Sequence, residues 1–264
     1  MIIVGERINT SRKPIDQAVS ARDASFIREE VKAQVRAGAH LIDVNAGSRK
    51  TEVEDLLWLV DVIQENHSVR LCLDSSNPGC LLKAVGRVKE TPMINSISAE
   101  RRRFEGMIPV IQMRECEVVA LCMDDRGVPK AADQVLENVE KLLRDLEKVG
   151  VKQERIYFDP VIQAVSTDSN AAVKALNAIE RIHREFPGTN TICGLSNISY
   201  ALPKRQLINR AFMGLAIRAG LSAAIIDPLD RKMATVLLAI SLILGKDPYC
   251  KAYLRAFREG RLED

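Results

Sequence analysis

The stretch Thr191-Ile-Cys-Gly-Leu-Ser-Asn197 begins with an apolar run and ends abruptly in a hydroxyl and an amide. The run, Ile192 to Leu195, is too short for a helix and is typical of a buried strand that carries polar side chains to one end of a sheet. A side-chain amide both donates and accepts hydrogen bonds, so Asn197 is able to follow a ligand atom through a change of protonation. Alone, the stretch is also typical of an ordinary strand-ending turn. It indicates a functional site only if other strands end in polar groups at the same place.

Seven other short apolar runs occur in the chain, and stretches with helical periodicity separate them. Alternating strands and helices with continuously apolar strands predict a parallel sheet covered by helices. Eight such units in 264 residues favour a closed (β/α)8 TIM barrel over an open sheet. We find no linker or low-complexity tract, and we therefore expect residues 1–264 to form a single domain. The predicted strands are Ile2–Val4, Leu41–Asn45, Arg70–Asp74, Met93–Ser96, Val118–Met123, Arg155–Pro160, Ile192–Leu195 and Ala223–Pro228.

Two helical stretches carry additional signals. Thr51 and Glu54 have the spacing of a capping box at the start of the helix after the second strand. Near the end of the chain, the segment Met233 to Leu244 is apolar with little polar face, so we expect it to pack against something besides the barrel. A homodimer interface is our interpretation.

Composition excludes several classes of protein. A formal charge of +3 is too close to neutral to indicate a nucleic-acid partner. The six cysteines form no Cys-x-x-Cys pair, and Cys72, Cys122 and Cys193 lie in apolar strand-like runs, which favours buried reduced thiols and a cytoplasmic protein. The N-terminus reaches charge at Glu6, too early for a signal peptide, and the apolar segment near the C-terminus is too short to span a bilayer.

Polar side chains follow nearly every predicted strand. In a TIM barrel the functional face is built from the carboxyl ends of the strands and the loops after them. A ring of carboxylates and amides suits a neutral heterocycle with several N–H donors and a carbonyl, whereas no Cys/His cluster, P-loop or glycine-rich dinucleotide motif is present. The residues of this ring are Glu6, Arg7, Asn9, Asp43, Asn45, Asp74, Asn95, Ser96, Asp124, Asp159, Ser196, Asn197 and Asp227.

Structural roles explain several of these residues equally well. Glu6 and Arg7 are adjacent opposite charges that would also fit an ion-pair network at the barrel mouth. Asp43, Asp124 and Asp227 would also fit as caps of the following helices, the ordinary use of Asp after a strand.

Three other residues favour a binding site, since Asp74, Asn95 and Asp159 come directly at the ends of apolar strands. Their side-chain chemistry alone does not name the ligand.

At these positions the sequence resembles the methyltetrahydrofolate:corrinoid methyltransferases. These enzymes are pterin-binding barrels, together with dihydropteroate synthase and the folate domain of cobalamin-dependent methionine synthase. The matching motifs run in order from the first strand to the helix after the seventh and are specific only as a set. They are Ile3-Val-Gly-Glu-Arg-Ile-Asn9, Asp43-Val-Asn-Ala-Gly47, Leu71-Cys-Leu-Asp-Ser75, Met93-Ile-Asn-Ser96, Asp159-Pro160, Gly194-Leu-Ser-Asn-Ile-Ser199 and Leu207-Ile-Asn-Arg210.

The resemblance implies a role for most of the ring. Asp74, Asn95 and Asp159 would hydrogen-bond the pterin of (methyl)tetrahydrofolate, and Asn197 would contact its N5 region and act in methyl transfer. Such an amide is useful because N5 is a poor leaving group unless it gains a proton, and a contact that strengthens with protonation stabilises the transition state. Glu6, Asp43 and Ser196 complete the expected substrate-binding set. The nucleophile would be Co(I) of cobalamin on a partner corrinoid protein, so the chain would need no metal of its own, and homodimers are usual in the family.

Basic residues near the ring have two interpretations each. Arg205, or its neighbour Lys204, would either meet the anionic glutamate tail of the folate or be a solvated charge that opens a helix. The triplet Arg101-Arg102-Arg103 is typical of a solvated helix start, and it would also suit an acidic patch on a corrinoid protein.

Several functions remain open at the level of sequence. The direction of transfer, and the choice between acetate formation and demethylation of methylamine-type compounds, are undetermined. A dihydropteroate-synthase-like activity is disfavoured, because Val161-Ile-Gln163 replaces the glycine-rich loop after Asp159-Pro160 and Ser196-Asn197 stands where that enzyme has a basic residue. A non-catalytic pterin-binding subunit of a corrinoid complex is the alternative outside enzymes.

Overall fold

In the computed structural model, which describes residues 1–263, eight parallel strands close into a barrel in the order of the chain. Each strand pairs in parallel with the next, and the last strand pairs with the first. The predicted TIM barrel is therefore confirmed. The strands are β1 (Ile2–Asn9), β2 (Leu41–Asn45), β3 (Arg70–Asp74), β4 (Met93–Ser98), β5 (Glu117–Leu121), β6 (Ile156–Asp159), β7 (Asn190–Gly194) and β8 (Ala223–Ile226).

Helices cover the outside of the barrel. Their apolar faces and the outward faces of the strands form the larger part of the hydrophobic core. The α-helices are α1 (Lys13–Ser20), α2 (Ala24–Arg36), α3 (Glu52–Asn66), α4 (Pro78–Val85), α5 (Arg101–Met113), α6 (Ala132–Lys148), α7 (Ala171–Glu185), α8 (Arg205–Ala219), α9 (Arg231–Ile243) and α10 (Lys251–Arg258). Short 3-10 helices cover Gln153–Arg155, Leu195–Ser199 and Pro248–Cys250.

The inside of the barrel is filled by a layer to which every strand contributes one side chain. These buried residues are Val4, Leu41, Cys72, Met93, Val119, Tyr157, Ile192 and Ala223. Because alternate residues of a strand share a face, the residue two positions later on each strand also points inward, nearer the carboxyl end. The packed apolar layer therefore fills the barrel directly below the inward residues at the carboxyl ends of the strands.

The helix α9 packs loosely although it is almost entirely apolar. Of its residues only Met233 is buried, and the side chain of Ile243 is 81% exposed. A cavity of about 970 Å³ is lined by Leu237 and Leu238 of this helix and by residues at the amino-terminal end of the barrel. The expectation that this segment packs against something besides the barrel stays a prediction.

Two local predictions were wrong. The seventh strand ends at Gly194 rather than Leu195, and the chain continues as a 3-10 helix that contains Asn197. The capping box at α3 does not form, since the Thr51 side chain makes no cap hydrogen bond. Its Oγ1 instead donates a hydrogen bond to Oδ2 of Asp55 at 2.5 Å. The same buried carboxylate also forms ion pairs with Arg22 and Arg49.

Candidate functional site

The inward layer at the carboxyl ends of the strands is predominantly polar. Counting two residues on from each member of the apolar layer brings five of the predicted site residues into one ring. The remaining positions of this ring are Leu121, Gly194 and Ile225, so the ring is open on the side of β7 and β8. The polar members are Glu6, Asp43, Asp74, Asn95 and Asp159.

Three polar residues of the mouth stand side by side on adjacent strands. The strand register pairs Asn45 with Asp74 and Asp74 with Asn95. The Asn45 side chain donates a hydrogen bond from Nδ2 to Oδ2 of Asp74 at 2.7 Å, and its Oδ1 accepts from the backbone N–H of Gly47 at 2.9 Å. This amide therefore fixes one oxygen of Asp74 and leaves the other for a ligand. The role of Asn45 was not predicted, although it stands two residues after Asp43 and so shares its inward face.

Asp43 lies beneath this row and is almost completely buried, with 3% exposure. Its carboxyl group is hydrogen-bonded by the side chains of Cys72 and Asn95, whereas Oδ1 has no partner. Burial, reinforced by the nearby charge of Asp74, raises the pKa of Asp43 well above its usual range. Asp43 therefore does not cap a helix, as one interpretation had it, because it lies within β2.

Two further carboxyl groups of the ring titrate near neutrality. Burial raises the pKa of Asp159 to about 7, although the backbone N–H of Val161 donates to its Oδ1 at 2.7 Å. Burial also raises the pKa of Glu6 to about 7, and the carboxylate of Asp227 adds to the rise. Both groups can therefore gain or lose a proton at physiological pH.

Asn197 lies in the 3-10 helix after β7, beside the glycine of the ring. A β-carbon on Gly194 would lie 3.2 Å from Nδ2 of Asn197, so the amide lies over that glycine. Gly194 occupies an inward position, two residues after Ile192. The exposed amide of Asn197 thus takes the space above the barrel interior that a side chain at position 194 would fill.

Arg7 belongs to an ion-pair network at the mouth, but its partner is not Glu6. Its guanidinium pairs with Glu30 and, from Nη1 at 2.7 Å, with Oδ2 of Asp227. Asp227 also accepts from the backbone N–H of Leu229 at 2.9 Å, so it closes a turn and does not cap α9. Asp124, the third candidate helix cap, lies in a turn between β5 and α6 and pairs with Arg126.

A cavity of about 650 Å³ adjoins the open side of the ring, between β1, β7, β8 and α8. Its volume is in the range of small-molecule sites. Arg205 lines it and braces the 3-10 helix, donating from Nη2 to the carbonyl of Ser196 at 2.6 Å and from Nε to Oγ of Ser199 at 3.1 Å. Lys204 is exposed at the start of α8. The walls of the cavity also include Glu6, Leu195, Arg210, Ile226, Asp227 and Met233.

The sequence matches the family described as pterin binding enzyme over residues 5–227. The chain belongs to this family. Within it, the chain is 34% identical over 265 residues to the methylcorrinoid:tetrahydrofolate methyltransferase of Eubacterium limosum, covering 99% of this chain and 98% of that one. The resemblance to the folate:corrinoid methyltransferases is thereby confirmed.

Other pterin-binding relatives are more distant. Methionine synthase of Mycobacterium tuberculosis is 27% identical over 240 residues, which cover 86% of this chain and 20% of that protein. Two solved dihydropteroate synthases share the fold. The Xanthomonas albilineans enzyme has a TM-score of 0.70 at 18% identity, covering 94% and 93% of the two chains, and the Vibrio fischeri enzyme has 0.71 at 15%, covering 94% of each.

The mouth of this pterin-binding barrel is rich in hydrogen-bond acceptors and poor in metal-ligand geometry. In residues 1–263 no three His, Cys, Asp or Glu side chains are grouped as a metal site. Within the same range no helix is long and apolar enough to cross a membrane. The ring can accept several N–H bonds from a heterocycle and exchange protons with it.

Proposed function

We propose that this chain transfers a methyl group between cobalamin on a partner corrinoid protein and N5 of tetrahydrofolate. The full-length likeness to a methylcorrinoid:tetrahydrofolate methyltransferase supports the reaction and favours the direction from corrinoid to folate. The observation that carries the proposal is the polar ring that contains Asp74, Asn95 and Asp159, with the Asn197 amide beside Gly194 at the end of β7. Transfer in this direction forms the N5–carbon bond, breaks the cobalt–carbon bond with both electrons left on cobalt, and releases the N5 proton.

The polar ring supplies what a pterin needs. Asp74 accepts N–H bonds from the pyrimidine edge of the pterin with the oxygen that Asn45 leaves unbound, and Asn95 and Asp159 provide further acceptors and a donor amide. Asp43 lies below and forms hydrogen bonds to Asn95. The same ring binds methyltetrahydrofolate for transfer in the opposite direction.

Asn197 acts at N5. As the N5–carbon bond forms, positive charge grows on N5, and the amide oxygen of Asn197 accepts a hydrogen bond from N5–H that strengthens with this charge. Such a contact stabilises the transition state more than the bound substrate. Glu6 faces the same ring with a pKa of about 7, which suits it to take up the released proton at physiological pH.

The cavity beside the ring suits the rest of the folate. Apolar Leu195, Ile226 and Met233 can pack against the aminobenzoyl ring, and Arg205 can meet a carboxylate of the glutamate tail. Ser196 lies in the wall of this cavity, which supports a contact with the same part of the substrate. Of the two interpretations of Arg205, we therefore favour contact with the tail.

Two further features belong to this proposal. The loosely packed apolar helix α9 supports a homodimer interface. Burial of five of the six free cysteines supports an activity in the cytoplasm, where thiols stay reduced. A dihydropteroate-synthase-like activity is the alternative enzyme, and the likeness to those structures supports the common fold alone.

Transfer from methylcobalamin to tetrahydrofolate tests the proposal directly. We expect the wild-type protein to convert methylcobalamin into Co(I) cobalamin, which is measured by the absorbance of Co(I). With methyltetrahydrofolate and Co(I) cobalamin as the starting mixture, the same absorbance should fall. Asn197→Ala should bind folate but transfer at least about 100-fold more slowly. Folate binding without transfer, with both free cobalamin and a corrinoid protein, would instead identify a binding subunit. Condensation of a pterin pyrophosphate with 4-aminobenzoate would favour the dihydropteroate-synthase alternative.

A further inference from the structure

The arginine triplet after β4 is divided by the fold. Arg101 and Arg102 are exposed, and Arg101 pairs with Glu105 one turn along α5. The side chain of Arg103 instead turns inward and is partly buried at the barrel mouth. The triplet is therefore not simply a solvated helix start.

The Arg103 guanidinium joins the segment after β3 to β4. It donates from Nη1 to the carbonyl of Ser76 at 2.5 Å, and from Nη2 to the carbonyls of Ser75 at 3.1 Å and Ser96 at 2.7 Å. Ser75 and Ser76 directly follow Asp74, and Ser96 directly follows Asn95. A planar fork of donors is well suited to fix several acceptors at once, which an ammonium group does less well.

We propose that Arg103 is a positioning residue, whose guanidinium holds the end of β3 against β4 so that Asp74 and Asn95 face one edge of the pterin together. This inference rests on the proposed function. A second bond between the same segments, from the backbone N–H of Ser75 to the carbonyl of Asn95 at 3.1 Å, supports it. Without Arg103 the two segments would be held by this bond and by the strand pairing of Asp74 with Asn95.

Electrostatics add to the geometric role. Burial raises the pKa of Asp74, and Asp43 and Glu52 face it as like charges, whereas the amide of Asn45 and the charge of Arg103 lower that pKa. Arg103 is the cation among these neighbours. Its removal should therefore leave Asp74 protonated up to a higher pH, when it is a poorer acceptor for pterin N–H groups.

Calorimetric titration with methyltetrahydrofolate between pH 5.5 and 8.5 tests this role. We expect Arg103→Met to raise Kd by about tenfold or more at neutral pH and to move the acid limb of the binding profile to higher pH. In the transfer assay KM should rise more than kcat falls. Arg103→Lys should restore the position of the acid limb but only part of the affinity, because it keeps the charge without the fork.

Arg102→Met is the matched control, since it removes an adjacent exposed arginine, and it should leave Kd and the profile unchanged. Folded Arg103→Met or Arg103→Lys protein with wild-type Kd and wild-type pH dependence would overturn the inference. If Arg103→Met fails to fold, Arg103→Lys decides by its Kd alone, because its acid limb is expected to keep the wild-type position. A wild-type protein that binds no folate would contradict the proposed function instead, so the two failures are distinguishable.

Discussion

The side-chain amide of Asn197 lies over Gly194, so close that a β-carbon on residue 194 would stand 3.2 Å from Nδ2. Gly194, the last residue of β7, and Asn197, in the 3-10 helix that follows, therefore border the same space. The glycine leaves that space empty, and the amide three residues later enters it. The position of the proposed N5-binding group therefore depends on a residue that has no side chain.

Gly194→Ala tests this dependence. The added methyl group would displace the amide by a few tenths of an ångström, so we expect methyl transfer to fall by about tenfold or more while folate Kd changes little. Gly214→Ala is the control, because a β-carbon there would lie 3.4 Å from Cδ1 and 3.8 Å from Cγ1 of Ile240, which are ordinary contact distances. Unchanged kcat in the Gly194 variant would show that the exact position of the Asn197 amide does not limit transfer.

Asn45→Ala tests the orientation of Asp74. Loss of the 2.7 Å hydrogen bond removes a donor to the carboxylate, so the pKa of Asp74 should rise and folate affinity should fall by about tenfold. Equilibrium dialysis with methyltetrahydrofolate at pH 7 measures the change. The control Asn170→Ala alters an exposed residue at the start of α7 that is not part of the ring, and should bind normally. Wild-type affinity in Asn45→Ala would contradict the role given to this amide.

Glu6→Gln should change how stability depends on pH. The folded-state pKa of Glu6 is raised from 4.5 to about 7, so the folded protein binds this proton more tightly than the unfolded chain does. The stabilisation that results is complete below pH 4.5 and is lost as the pH rises to about 7. Wild type should therefore lose up to about 3 kcal/mol more unfolding free energy than Glu6→Gln between pH 4.5 and 8. Urea unfolding at each pH measures this difference. Unfolding free energies that change equally with pH in the two proteins would exclude the effect.

Ile243→Glu tests the apolar helix as a dimer interface. The side chain of Ile243 is 81% exposed in the single chain, and a charge placed in an apolar interface between two copies would cost several kcal/mol. We expect wild type to sediment as a dimer and the variant as a folded monomer. Val173→Glu, at a 55% exposed position on α7, should remain dimeric. Monomeric wild-type protein at micromolar concentration would contradict the homodimer.

Much of the barrel mouth was predictable from period-two alternation. Asp43, Asp74, Asn95 and Asp159 each stand two residues after a buried apolar residue of the same strand, so alternation alone places them inside the barrel. The pattern of eight alternating strands and helices likewise predicted the closed barrel and the order of its strands. These features depend on local spacing, which a sequence displays directly.

Features that depend on contacts between distant segments were not predictable in this way. Arg103 bonds to backbone carbonyls 27 and 28 residues earlier in the chain, which no side-chain pattern reveals. Thr51 donates to Asp55 instead of capping its helix, and the buried Asp55 also pairs with Arg22 and Arg49, a cluster assembled from three segments. The sequence pattern does not indicate the 3-10 helix that carries Asn197 either, because the apolar Leu195 continues the strand pattern.

The ring of buried carboxyl groups has a consequence for the amount of protein in a cell. Four acids with raised pKa values in one layer make the empty barrel less stable than an apolar layer would. A ligand that binds only the folded state offsets this cost, adding about 2.7 kcal/mol when its concentration is 100 times its Kd. Proteases remove mainly unfolded chains, so scarcity of that ligand would shorten the lifetime of the protein, and its abundance would follow the supply of its own substrate.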